Sequence, residues 1–423
     1  MLILFGALIV FLLIGTPVFA AIGAASVIYM FTHGLNPLVA LQRMVAGVDS
    51  FTLLAVPFFI LAGNLMNASK VTTRLFDFAN SMVAHWRGGL GHVNVYGSLI
   101  FSMMSGSAMA DAAGLGSIQL KAMRERGYAL GFSVGITSVT AILAGIIPPS
   151  LALVVYGFVA NVSVGQLFLA GIVPGVLCAA LLHLTIFVIA TRRGMPTEPR
   201  QSWSERGGAL VKGVPALLMP VIIIGSIAAG IATPTEAAAL ASAYALVLGA
   251  VFYRTLGLGD IWRVLGETFE LTATIMIMVA ASMLFGWILV YENVTRDFTQ
   301  FMVEFASEPW QLMLILVILL LICGMFLDNL VVILITAPIL MPVVNEFGID
   351  PVHFGIVMVL TILIGLMTPP IGMVLFVVSR IAGMPYLSAF VACIPFLIPI
   401  LAVIALVIAA PAVALFLPSW LMR

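Results

Sequence analysis

The heptapeptide Ala144-Gly145-Ile146-Ile147-Pro148-Pro149-Ser150 lies inside an apolar run that extends over 128–157. Two consecutive prolines remove two N–H donors and clash with the preceding turn, so a helix carrying them in mid-run must break. The carbonyls freed by the break are costly in hydrocarbon and are tolerated only where they line a cavity or bind a cation. The stretch has a partner, Ile364-Gly365-Leu366-Met367-Thr368-Pro369-Pro370-Ile371-Gly372, inside the run 353–379. Gly127 precedes Pro148 by the interval at which Gly348 precedes Pro369. Each copy follows a short apolar run with a polar tip. Val93–Met104 leads into Ser105-Gly106-Ser107-Ala108-Met109-Ala110-Asp111, and Leu312–Phe326 leads into Leu327-Asp328-Asn329. Both runs read as re-entrant hairpins, which enter and leave on one side.

Composition sets the solvent. Of 423 residues, 63% are hydrophobic and 8% are charged, where a soluble domain carries about 25% charge. Mean hydropathy is +1.24. A soluble enzyme, a nucleic-acid binder and a disordered chain are thereby excluded. The class is an all-α polytopic membrane protein, with the lipid bilayer as its surroundings. The 17 Lys+Arg balance the 17 Asp+Glu, so no basic face remains for nucleic acid. Cys178, Cys323 and Cys393 are far apart in apolar runs and read as packing residues. The five His show no metal-ligand spacing. Trp86, Trp203, Trp262, Trp310 and Trp420 fall near span ends, where interfacial anchors belong.

Apolar runs long enough to span occur at 2–30, 51–68, 128–157, 165–190, 213–232, 234–253, 264–290, 353–379 and 385–416. The first reads as a membrane span rather than a secretion signal, because no Lys or Arg precedes it. The segment 191–212 carries Arg192, Arg193, Arg200, Arg206 and Lys212, whereas 291–308 carries four acidic residues against Arg296. Cytoplasmic loops are enriched in Lys and Arg. The first is therefore expected inside, the second outside and the N-terminus inside, with Arg43 as the exception. The basic linker 191–212 divides the chain into a first repeat, 1–190, and a second, 213–423. Hairpin 1 is expected near 93–120 with its broken helix over 128–157, and hairpin 2 near 312–344 with its broken helix over 353–379. The two repeats run in opposite directions across the membrane.

Broken helices from inverted repeats, meeting at mid-depth, form the architecture in which secondary transporters hold ions and substrate. The tips supply hydroxyls, an amide and one carboxylate each, an oxygen set suited to Na⁺ and too poor in carboxylates for a divalent ion. Asp111 and Asp328 stand out because a carboxylate at mid-helix is costly in a membrane. The bland alternative for each is a polar group satisfied by neighbouring hydroxyls. Glu236, in Thr233-Pro234-Thr235-Glu236, reads as a helix cap. Two rival classes remain: an intramembrane aspartyl protease with Asp111 and Asp328 as its dyad, and a channel or non-transporting scaffold subunit, against which the absence of a repeated filter sequence argues.

Several stretches together resemble one family. They are AVPFFILAGNLM (55–66), MMSGSAMADAAGLGS (103–117), AGIIPPSLALVVYG (144–157), GIATPTEAAALASAYA (230–245) and GIDPVHFGIV (348–357). The chain resembles the large membrane subunit, DctM type, of tripartite ATP-independent periplasmic (TRAP) transporters. The resemblance implies a transporter rather than an enzyme, in a bacterial or archaeal inner membrane, driven by Na⁺ and moving by an elevator motion. It implies a small DctQ-type membrane subunit and a DctP-type periplasmic binding protein that delivers a small carboxylate. By position it assigns Na⁺ to Ser105, Gly106, Ser107, Pro148, Asp328, Asn329, Thr368 and Pro369. It assigns substrate to Ser107, Asp111, Pro149, Thr361 and Pro370. The family leads one to expect an Asn where Leu360-Thr361-Ile362 stands, which marks Thr361 as a candidate substrate-specific position.

Overall fold

The computed structural model describes residues 1–195, 197 and 199–422, all helix, turn and loop with no strand among them. Seven of the described helices are long and apolar enough to cross a bilayer. Two of these are the arms of hairpin 2, Pro309–Phe326 and Asn329–Glu346, which turn back on each other at Leu327-Asp328. Length alone therefore does not make a span.

Hairpin 1 rises through Gly89–Ser105, turns at Gly106-Ser107 and descends through Ala108–Ala113 and Leu115–Glu125. The tip is thus shorter than its polar sequence, because Ser107 already caps the descending arm and Asp111 lies within it. The first broken helix is Leu130–Thr140 and Leu143–Ile146, then Leu151–Val159 after a 43° bend. The second is Pro351–Gly365 and Met373–Ala382. Both Pro-Pro bonds are cis.

The broken helices run antiparallel, as inverted repeats require. At one end the Tyr156 hydroxyl donates to the Pro351 carbonyl at 2.7 Å. At the centre Gly145 sits against Leu363. At the other end Leu130 and Ser133 share a cavity with Ile381 and Gly383. A buried polar knot fastens hairpin 1 to its broken helix. Asn94 donates to Thr137 Oγ1 at 2.6 Å and accepts from Thr140 Oγ1 at 2.7 Å, and its carbonyl accepts from Gln119 at 3.2 Å. Asn94→Leu is expected to cost about 1–2 kcal/mol, since the threonine hydroxyls then lose a partner away from water. A lower thermal-unfolding midpoint in detergent, with hairpin 1 cleaved first by protease, is the expected reading.

Two expected spans divide and a third shortens. The run 2–30 is two helices, Leu2–Leu13 and Val18–Thr32, both packed on the helix Leu258–Tyr291. Gly15 at φ +82° and Pro17 stop the first helix. The run 385–416 ends as a span at Ala409; Pro411 turns the chain and Ala412–Leu421 packs on Val164–Arg193. The run 51–68 narrows to Ala55–Ala68 and is bent by 60° from Pro37–Val48. The linker shortens too. A capping box between Ser202 and Glu205 starts the helix Trp203–Ala228, so Arg206 and Lys212 are helical. Pro196 of the linker and the terminal Arg423 lie outside the described residues.

The stretches 70–88 and 291–308 are not simple loops. Each contains a short helix before its hairpin, Val71–Val83 and Val294–Phe305. Glu236 caps its helix, its carboxylate accepting from the Thr233 N–H at 2.8 Å. Three of the histidines are packed. His92 stacks on His183, tying the base of hairpin 1 to Val164–Arg193, and His353 bonds the Val407 carbonyl at 2.8 Å.

Candidate functional site

Each hairpin tip docks by backbone on the break of its own half. The Leu151 N–H donates to the Gly106 carbonyl at 3.2 Å. Gly106 has φ +59°, and a Cβ there would lie 2.6 Å from the Pro149 carbonyl oxygen, so glycine alone permits this approach. In the second half the Ile371 and Gly372 N–H groups donate to the Met325 carbonyl at 3.3 and 3.2 Å. Gly324 and Gly365 meet there with backbone against backbone. The two breaks differ in surroundings. Pro148 and Pro149 are buried, with Ile146 and Ile147 before them packed against Val164–Arg193, whereas Pro370 and Ile371 are exposed.

The two tips share a cavity of about 350 Å³. One wall is Ser105 and Ser107 of hairpin 1 with Asp328 and Asn329 of hairpin 2. The facing wall is Gly63, Asn64 and Asn67 of Ala55–Ala68 with Leu271, Thr274 and Met278 of Leu258–Tyr291. Sequence reasoning passed over that second wall. Asn64 and Asn67 were the available signal, two amides inside an apolar run. Asn64 donates to Thr268 Oγ1 at 3.1 Å, which holds the two wall helices in register.

The expected site residues separate into three groups. Ser105, Ser107, Asp328 and Asn329 reach the cavity. Gly106, Pro148 and Pro149 lie behind it as the backbone junction. Asp111, Thr361, Thr368, Pro369 and Pro370 do not line it. Thr361 and Thr368 are turned back on their own helix, donating to the Val357 and Ile364 carbonyls at 2.7 and 2.9 Å.

The two aspartates have unlike environments. Asp328 caps the descending arm of hairpin 2, its Oδ1 accepting from the Leu330 N–H at 3.0 Å. Asp111 is 1% exposed and neither carboxylate oxygen has a hydrogen-bond partner among the described residues. The Ser98 hydroxyl lies beside it without completing a bond to either oxygen. Ser105 Oγ is likewise buried and unpartnered. Because only Asp328 opens to the cavity, the pair does not face a shared substrate as a protease dyad would.

Comparison with known proteins gives the family. The family model described as "Tripartite ATP-independent periplasmic transporter, DctM component" matches residues 5–413. The chain belongs to this family. The DctM-type chain is 44% identical over 406 residues to the sialic acid TRAP transporter large permease SiaM of Vibrio cholerae, covering 96% of this chain and 95% of the relative. It is 41% identical over 373 residues to the C4-dicarboxylate TRAP transporter large permease DctM of Pseudomonas aeruginosa, covering 88% and 87%. In fold it is similar to the crystal structure of the Alcanivorax borkumensis YdaH transporter, with TM-score 0.67, 12% identity, and coverage of 90% of this chain and 88% of that one. The DctM family is one of transporters, which fits the non-enzymatic reading of the sequence.

Proposed function

We propose that this chain is the membrane-embedded part of a Na⁺-coupled importer of an organic acid in a bacterial or archaeal inner membrane. A periplasmic binding protein delivers the acid, and a small membrane subunit completes the assembly. The named relatives handle sialic acid and a C4-dicarboxylate, and both are carboxylates.

The observation that carries the Na⁺ assignment is the enclosed Asp111 carboxylate with both oxygens unpartnered. An isolated buried carboxylate costs several kcal/mol unless a counter-charge compensates it. Ser105 Oγ, also without a partner, lies near the same tip, and carbonyls at the tip and the break add neutral oxygens. A small monovalent cation satisfies this set. At the second tip Asp328 and Asn329, with the Thr368-Pro369 break, form the corresponding position. Substrate occupies the shared cavity beside Ser107 and Asn329.

The cavity wall is split between hairpin tips on one side and two packed helices on the other, so translocation is a slide of the hairpin module along those helices. Ions bound behind the tips stiffen the module before it moves. The basic ends of both hairpin 1 arms face the cytoplasm, whereas the turn at Gly15–Pro17 brings Met1 back to the Val294 end, on the outer side.

Uptake into proteoliposomes holding both membrane subunits, started with liganded binding protein outside, tests this. Radiolabelled acid is expected to accumulate only with an inward Na⁺ gradient. Equal accumulation with K⁺ or choline in place of Na⁺ rejects the coupling.

A further inference from the structure

A second cavity, of about 370 Å³, is stacked on the first along the same interface. The helix Leu258–Tyr291 lines the first at Leu271–Met278 and the second at Ser282–Val290, a displacement along that helix of about 17 Å by helical rise. The descending arm of hairpin 2 follows the same order, Asp328 to Val331 and then Leu334 and Pro338. So does the helix after the first break, Leu151 and then Phe158. The second chamber lies toward the Pro351 end, which the charge distribution assigns to the outside.

We propose that this outer chamber is a separate carboxylate-binding site, which the organic acid occupies before it reaches the hairpin tips. The proposal rests on the organic-acid reading above and names a second station for it. Its anchor is Arg43. Apart from Arg43 and Arg296, the described Lys and Arg fall at the Gly383 end of the molecule. Neither forms an ion pair among the described residues, and of the two Arg43 lines the chamber. Arg43 is an exposed side chain on the chamber wall, free to meet an anion that enters.

The geometry supplies the rest of an anion site. The Arg43 guanidinium lies 5.5 Å from the centroid of the Trp287 ring, a stacking that keeps the planar fork against the chamber wall. Gly47 lets the Arg43 helix approach this closely, since a Cβ there would come 2.5 Å from Met283 Cγ. Ser282 is 2% exposed and its Oγ has no hydrogen-bond partner. Other buried serines of this chain, such as Ser26 and Ser242, donate back to the carbonyl one turn earlier. The Ser282 hydroxyl is therefore an unused donor enclosed directly behind the chamber lining. Phe158, Val159 and Leu334 make the remaining wall apolar, and a charge-assisted bond is strong in such surroundings. No carboxylate lines the chamber.

The test uses the whole chain labelled with 5-fluorotryptophan, in phosphatidylcholine nanodiscs, without Na⁺ and without partners. Trp287→Phe assigns the ¹⁹F resonance. Succinate and N-acetylneuraminate are the probes, and dimethyl succinate is the uncharged control. A saturable shift of the Trp287 resonance is expected with at least one acid and none with the ester. Arg43→Gln is expected to weaken that response about tenfold or more, Arg43→Lys less, and Ser282→Ala about threefold. Asp111→Asn is expected to retain the response, which separates this chamber from any failure of the Na⁺-coupled reading. The proposal is overturned if the resonance stays still with both acids, if Arg43→Gln or Ser282→Ala responds as the parent does, or if the shift requires phosphatidylglycerol in the disc. The last result would make the occupant a lipid phosphate.

Discussion

Asp111→Asn is expected to abolish Na⁺-driven uptake while leaving the chain folded. The side chain is enclosed, so Asn fills the same volume and creates no cavity. What changes is the charge. Removing a buried carboxylate that balances a cation forfeits about 3 kcal/mol of ion binding, which is about 100-fold in Na⁺ affinity. Half-maximal uptake then falls beyond any practical Na⁺ concentration. The measurement is initial uptake rate against Na⁺, with thermal unfolding of the purified variant alongside. The substitution also distinguishes two states of the parent. If Asp111 were a neutral acid, Asn would mimic it and uptake would persist near the parent rate, which would remove Asp111 from the Na⁺ site.

Asp328→Asn is expected to raise the Na⁺ concentration for half-maximal uptake about tenfold, equivalent to about 1.4 kcal/mol. Asn serves nearly as well as Asp at a helix N-cap, so the bond from the Leu330 N–H survives and only the charge is lost. Asp328→Ala removes both and adds about 1 kcal/mol of lost capping. The two variants therefore differ in stability if Asp328 is a cap, and share a Na⁺ defect if it is also a ligand. A parent-like Na⁺ dependence in Asp328→Asn, with instability confined to Asp328→Ala, would reduce Asp328 to a cap.

The prolines were the most informative residues in the sequence. Pro148-Pro149 and Pro369-Pro370 cannot sit in an intact helix, and both mark breaks. Their equal spacing from Gly127 and Gly348, with basic and acidic segments on alternate sides, was enough to infer opposed repeats. Short-range chemistry was legible as well, as in the Thr233–Glu236 cap. Hydropathy misjudged 2–30 and 385–416 because a sum over a window does not register a single Gly or Pro that turns the chain.

Composition determined the solvent, and local backbone chemistry determined where helices stop, because both depend on residues close together in the chain. Tertiary structure alone decided which oxygens face a common space. Asp111 and Asp328 looked alike as letters, but helix rotation encloses one and opens the other to the cavity. Asn64 and Thr274, far apart in sequence, became one wall only when Ala55–Ala68 packed on Leu258–Tyr291. A helix fixes which residues share a face, while the neighbour that face meets is set by packing across the whole chain.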